Sequence, residues 1–272
     1  MRSRTYILLL ALMLVTSCGE YQKILKSTDY DLKKTRAKEY FDAGKYVKST
    51  ELLEQIIPRY RATEEAEDLI WMNAQGYYGM KQYDMAGSVF KSYMEQYGYG
   101  KYIEEAYYMS AMCDYNISPR AELDQNNTKT AIEGFTIFIS RYPNSSRVEE
   151  CKKLINDLHE RLVEKSYISA KLYYDMNEYK AAVVALSNSL KEYSETKYRE
   201  EMMFLKLNSL YYYAVKSMAV KQKERYQATL DEYYSFMEEF PKSKYAKDVK
   251  KIYQETAKVL KIQAPGNVAN IQ

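Results

Sequence analysis

The apolar positions of this chain recur as a ladder. In the stretch YDMAGSVFKSYMEQY the rungs are Tyr83, Ala86, Phe90, Tyr93 and Tyr97, in steps of three and four. That spacing places every rung on one face of a helix. The ladder returns as Tyr46, Ser49, Leu53, Ile56, Tyr60 and as Thr128, Ala131, Phe135, Phe138, Tyr142. It returns again as Tyr179, Ala182, Leu186, Ser189, Tyr193 and as Tyr226, Thr229, Tyr233, Phe236, Phe240. In every copy the first and last rungs stand the same number of residues apart. One such stripe is ordinary; five in register mark a repeat protein, whose units each leave a face for the next to cover.

Composition makes the repeat helical. The 272 residues include 31 Tyr but only 9 Gly and 5 Pro. That leaves little material for β-turns, and the Lys- and Glu-rich remainder favours helix. The formal charge is +3, and loss of Arg2 and Arg4 with a leader would bring it nearer neutrality. A balance so even supplies no field for nucleic acid, which needs a basic stripe.

The first residues, MRSRTYILLLALMLVTSC, place two arginines before an apolar run from Tyr6 to Val15 and small residues before Cys18. The run is too short for a bilayer, which takes roughly 20 residues, but fits the core of a signal peptide. It resembles a bacterial lipoprotein leader, in which the cysteine becomes the lipidated mature N-terminus; Val15 departs from the usual Leu. The other reading is a plain secretory leader with an incidental cysteine. Under the resemblance, residues 1–17 are removed, Cys18 is lipidated, and 18–32 form a polar tether with Tyr21, Ile24 and Leu25 as its sticky points. N-terminal repeats are expected over 33–145, C-terminal repeats over 146–262, and a disordered tail over 263–272.

Each ladder follows another helix that closes in a short turn: Gly44-Lys45-Tyr46, Lys81-Gln82-Tyr83, Asn177-Glu178-Tyr179. Gly and Asn suit the left-handed conformation that ends a helix. Acidic pairs open the following helices, as Glu104-Glu105, Glu149-Glu150 and Glu200-Glu201 do, complementing the helix N-terminus. This two-helix unit resembles the tetratricopeptide repeat, on Ala74, Tyr77, Tyr83, Ala86 and Phe90 in the second copy. Ala37, Tyr40, Gly44 and Tyr46 match it in the first copy, and Ala170, Tyr173, Tyr179 and Ala182 in the fourth. The intervals between the aromatic ends Tyr60, Tyr97, Tyr142, Tyr193 and Phe240 all exceed the ~34 residues usual for that repeat. An inserted turn lies near 118–127, and one long helix is expected between Ser146 and Met176. The expected fold is all-α, a tetratricopeptide-like α-solenoid of about five helix pairs.

No catalytic constellation is present. The one histidine, His159, sits among Asp157, Glu160 and Arg161 on an amphipathic stretch, and no P-loop, GxSxG or HExxH occurs. The chain is therefore not expected to be an enzyme or to need a cofactor or metal. Cys113 and Cys151 either pair in an oxidising compartment or are buried thiols. Their neighbours in other copies are small or apolar, which favours burial.

Beyond the ladders, aromatics fall on the first helix of the pairs: Phe41, Trp71 and Tyr78, Tyr108 and Tyr115. In a tetratricopeptide superhelix that face lines the inner groove, and stacked amphipathic rings suit an extended peptide with aromatic side chains. Leader, repeat count and the segment LHERLVEKSYISAKLYYDMNEYKAAV (Leu158 to Val183) together resemble the BamD family of outer-membrane lipoproteins. The resemblance implies a lipid-anchored scaffold of the β-barrel assembly machine, on the periplasmic face of the outer membrane. Its N-terminal repeats would bind unfolded barrel precursors, and its C-terminal repeats a BamA-like barrel subunit. The alternatives are another tetratricopeptide envelope lipoprotein, in cell-envelope coordination or as a transporter accessory, and a murein-cleaving enzyme. The last needs a catalytic domain for which this chain has no room.

Overall fold

The computed structural model describes residues 19–262; the leader, Cys18 and the tail beyond Ile262 lie outside the described residues. Twelve helices and no strand occur among the described residues. Helix α1 covers residues 19–26. It is followed by α2 (Tyr30–Asp42), α3 (Tyr46–Tyr60), α4 (Ala66–Gly79), α5 (Tyr83–Gln96), α6 (Ile103–Ile117) and α7 (Asn126–Arg141). Then come α8 (Val148–Asp175), α9 (Tyr179–Glu192), α10 (Arg199–Val215), α11 (Ala219–Glu239) and α12 (Ala246–Leu260). The chain divides into two compact units within α8. The first runs to Pro119 and resumes over Asp124–Leu158; the second takes Arg120–Leu123 and the chain from His159 on.

Within each unit successive helices pack on one another, α2 through α7 in the first and α9 through α12 in the second, where α10 also meets α12. The five ladders are the second helices of these pairs, and their middle rungs are the core. Leu53, Ile56, Ala86, Phe90, Tyr93, Ala131, Phe135, Phe138, Ala182, Leu186 and Phe236 are all fully buried. The helices approach closely because small residues face each other: a Cβ added at Gly134 would stand 3.0 Å from the Cβ of Ala111. This is the arrangement of tetratricopeptide pairs, and the fold is all-α and tetratricopeptide-like.

The turns inside three of the five pairs repeat atom for atom. Gly44, Lys81 and Asn177 all adopt left-handed backbone, with φ of 69°, 59° and 60°. In each, the next amide reaches back five residues: Lys45 N to Tyr40 O at 2.8 Å, Gln82 N to Tyr77 O at 3.0 Å, Glu178 N to Tyr173 O at 2.9 Å. That is the bond pattern of the Schellman motif, which satisfies carbonyls otherwise orphaned at a helix end. Four of the five aromatics that close the ladders are equally uniform: Tyr97, Tyr142, Tyr193 and Phe240 cap their helices with φ between −124° and −126°, whereas Tyr60 lies within α3.

One segment differs from the sequence-based expectation. The stretch read as a tether is helical over residues 19–26, with Tyr21 and Ile24 buried against the first pair. The inserted turn is present where expected and is packed: Ala121 is buried, and Lys165 Nζ donates to Glu122 O at 2.8 Å.

Candidate peptide-binding cleft

The first helix of four of the five pairs carries an aromatic that stacks on the residue opening the next first helix. Trp71 of α4 lies flat on Tyr102, 4.6 Å between centroids and 10° between planes. Tyr167 of α8 lies on Tyr198 at 4.3 Å and 6°, and Phe204 of α10 on Tyr245 at 4.0 Å and 5°. In the remaining copy Arg147 takes the opening position, and its guanidinium sits 4.0 Å from the Tyr108 ring centroid. A lysine precedes each of the three tyrosines and places its ammonium 5.0, 5.2 and 4.9 Å from the ring: Lys101, Lys197 and Lys244. Each staple therefore joins one helix pair to the next by ring stacking and cation–π attraction.

The first staple forms one wall of a cleft in the first unit. Two adjoining hollows, of about 540 and 390 Å³, run between α2 and α4 and share Lys38, Asp42, Asp68 and Met72. Phe41, Trp71, Gln75 and Tyr102 line the larger one; Lys34, Glu65 and Leu69 line the smaller. The α4 contribution arises because Asp68, Trp71, Met72 and Gln75 recur at steps of three and four on one face. The wall is braced from behind. Trp71 also meets Phe90 at 5.4 Å and Tyr93 at 5.9 Å, and the Tyr93 hydroxyl donates to Glu67. Glu67 Oε1 also accepts from Lys101 N at 2.6 Å.

Charge rims this apolar floor. Asp68 is held by Lys101 Nζ at 2.5 Å and by the Tyr102 hydroxyl at 2.8 Å. Burial works against its ionisation, but the two hydrogen bonds outweigh that and keep its pKa below the usual carboxylate range. Lys34 donates to Glu65 at 2.7 Å, which raises the pKa of its ammonium. Lys38 pairs across one helical turn with Asp42 at 3.5 Å. Such a cleft offers rings, a methionine and fixed charges of both signs.

Of the residues expected in a groove, the structure brings Phe41 and Trp71 together and leaves three elsewhere. Tyr108 is only 5% exposed, packed at 5.9 Å on Phe138, with its hydroxyl donating to Glu150 at 3.0 Å; it is a core residue and a staple. Tyr78 rests edge-on against Tyr83 at 5.2 Å and accepts from Asn116 Nδ2 at 3.3 Å. Tyr115 leans on Phe135 at 6.4 Å and donates to Asp157 Oδ2 at 3.1 Å. Met72, Gln75 and Tyr102 line the cleft and were not anticipated. The helical spacing from Asp68 to Gln75 and the Lys-Tyr that recurs at 101–102, 197–198 and 244–245 were the signals available for them.

Cys113 and Cys151 are both buried and unpaired, and burial pushes their thiols up to about 12 and about 11, far from the reactive range. His159 is exposed on α8. Among the described residues no group of three or more His, Cys, Asp or Glu is placed to hold a metal, and no helix is long and apolar enough to cross a membrane.

Comparison with known proteins adds the following. The sequence profile of the family described as YfiO, outer membrane lipoprotein, matches residues 33–225. No curated protein sequence matches. Among solved structures, the TPR2AB-domain:pHSP90-complex of yeast Sti1 is 14% identical, covering 84% of this chain and 98% of its own, with a TM-score of 0.39. At that score the likeness carries no argument about fold or ligand.

Proposed function

This chain belongs to the YfiO family of outer membrane lipoproteins, and on that premise we propose that it is a scaffold of the machine that assembles β-barrels in the outer membrane. In this reading Cys18 carries the lipid anchor and the protein faces the periplasm. The cleft of the first unit receives unfolded barrel precursors, and the last two helix pairs dock a BamA-like barrel subunit. Its work is binding and positioning, with no bond made or broken.

The observation that carries the proposal is the cleft between α2 and α4, where Phe41, Trp71, Met72 and Tyr102 meet beneath a rim of Lys38, Asp42 and Asp68. A barrel strand is an extended segment with alternate apolar and polar side chains and aromatic girdles at its ends. In extended form it sets alternate side chains about 7 Å apart on one face. Ring walls and an adaptable methionine accept such side chains without demanding one sequence. Lysines and carboxylates along the rim hold the strand's polar face.

Trp71 is the only tryptophan of the chain, so its emission reports occupancy of the cleft directly. Titration with a peptide ending in an aromatic barrel strand should shift that emission, and the same peptide with serine for its aromatic should not. Phe41→Ala and Met72→Ala should each weaken binding about tenfold, roughly 1.4 kcal/mol, with little change in thermal midpoint. Trp71→Ala is the poorer probe because it also removes a staple. Unaltered emission, or unaltered affinity in both variants, would remove the cleft from the function. Pull-down from outer membranes in mild detergent should recover a stoichiometric barrel protein with periplasmic repeat domains. Recovery of a transporter or a peptidoglycan protein instead would select an accessory envelope role.

A further inference from the structure

The eight residues of α1 are fastened to the first helix pair at every turn. Tyr21 is 6% exposed and Ile24 5%. The Tyr21 ring stands edge-on to Tyr40 at 5.7 Å, its hydroxyl donates to Glu51, and Lys48 Nζ lies 5.0 Å from its centroid. Arg36 holds Glu20 at 3.1 Å. At the far end Lys33, itself only 4% exposed, sends its ammonium to Leu25 O at 3.1 Å and to Gln55 Oε1 at 2.5 Å. A buried ammonium demands its acceptors, so this one fixes the end of α1 to both α2 and α3.

We infer that α1 is a strut which joins the anchored Cys18 to the first helix pair without slack and holds that pair against the lipid headgroups. The inference rests on the lipid-anchor reading of Cys18. Geometry sets its scale. Tyr21 is three residues past Cys18, so its Cα lies no more than about 11 Å from that of the anchored residue. A free segment from Cys18 to Leu32 would reach roughly 50 Å. The exposed charges α1 itself presents are Lys23 and Lys26, while Glu20 is matched by Arg36, a balance suited to phosphate headgroups. Tyr40, against which Tyr21 packs, is the chain neighbour of Phe41 in the cleft. The strut therefore delivers the cleft to the membrane surface, where an incoming strand is received.

The test uses the full lipidated chain in vesicles containing a headgroup-labelled acceptor lipid. The donor dye is placed on Val47→Cys, which is 65% exposed, whereas Cys113 and Cys151 are buried from the reagent. Two variants release the strut differently. Tyr21→Ala with Ile24→Ala undoes its packing. Insertion of about twelve Gly and Ser residues after Cys18, a coil of roughly 20 Å, leaves every contact intact and cannot fail by unfolding. Energy transfer should be highest in the parent and should fall in both variants. Transfer in the parent equal to that of the inserted chain would overturn the strut. Vesicle flotation and the mass of the N-terminal peptide are read in the same samples. A chain that neither floats nor carries acyl mass overturns the anchor reading and the strut together, whereas one that floats with equal transfer overturns the strut alone.

Discussion

At the scale of single residues, three of the five turns inside the helix pairs place the same backbone under Gly44, Lys81 and Asn177. Gly and Asn announce such a turn; lysine does not, and at position 81 only the register of the neighbouring copies reveals it. A left-handed φ of 59° brings the Cβ of an L-residue toward the following carbonyl, at a penalty of about 1–2 kcal/mol that glycine escapes. Glycine loses more freedom on folding, which returns part of that gain. Lys81→Gly should therefore stabilise the chain by a net ~0.5–1 kcal/mol, read as a raised urea midpoint with unchanged slope. A lowered midpoint would mean that the lysine makes a contact worth more than the strain. Tyr21 and Ile24 lie at the opposite limit of legibility. Eight residues span barely two turns, too few for periodicity to declare a helix, and their order comes from the surface they meet.

Among the elements, the staples explain why aromatics recur on the first helices. Positions 71, 108, 167 and 204 are equivalent, and so are their partners 102, 147, 198 and 245. The sequence displays rings on a helix face but not which residue of the next pair will cover them, so Trp71 and Tyr108 were read only as groove residues. The Trp71–Tyr102 staple alone also lines the cleft, with both of its rings. Stacking at 4.3 Å and 6° predicts measurable coupling between Tyr167 and Tyr198. A double-mutant cycle with Tyr167→Ala and Tyr198→Ala, followed by urea unfolding, should return about 0.5–1.5 kcal/mol of interaction energy. Additive effects would show that the rings are merely buried side by side. The Tyr167 hydroxyl also donates to Glu201 at 2.7 Å, so Tyr167→Phe is the control that separates ring from hydrogen bond.

Over the whole molecule, helix class, pair count and ladder positions were legible because a repeat states the same physical requirement five times and coincidence cannot. The place of the division into two units was not, since the repeats were divided after residue 145. It falls inside α8, whose amphipathic pattern runs unbroken over its 28 residues and gives no composition shift to mark the change. The division has a consequence for unfolding, since a linear array is stabilised by each unit and its neighbours and need not melt at once. The first unit encloses a continuous core that includes Phe90, Tyr93, Phe135, Phe138 and Leu158, joined by many partly buried aromatics. The second holds smaller clusters, one around Leu186 and Met202 and another around Leu207 and Phe236. With more apolar surface removed from water, the first unit should resist denaturant longer. The lone tryptophan lies in it, so Trp71 emission follows the first unit, whereas helical ellipticity follows both. In a urea titration ellipticity should begin to fall before the emission shifts, leaving two midpoints. Superimposable curves would mean that α8 couples the units into a single cooperative transition, and that the partition of buried surface does not control how the chain comes apart.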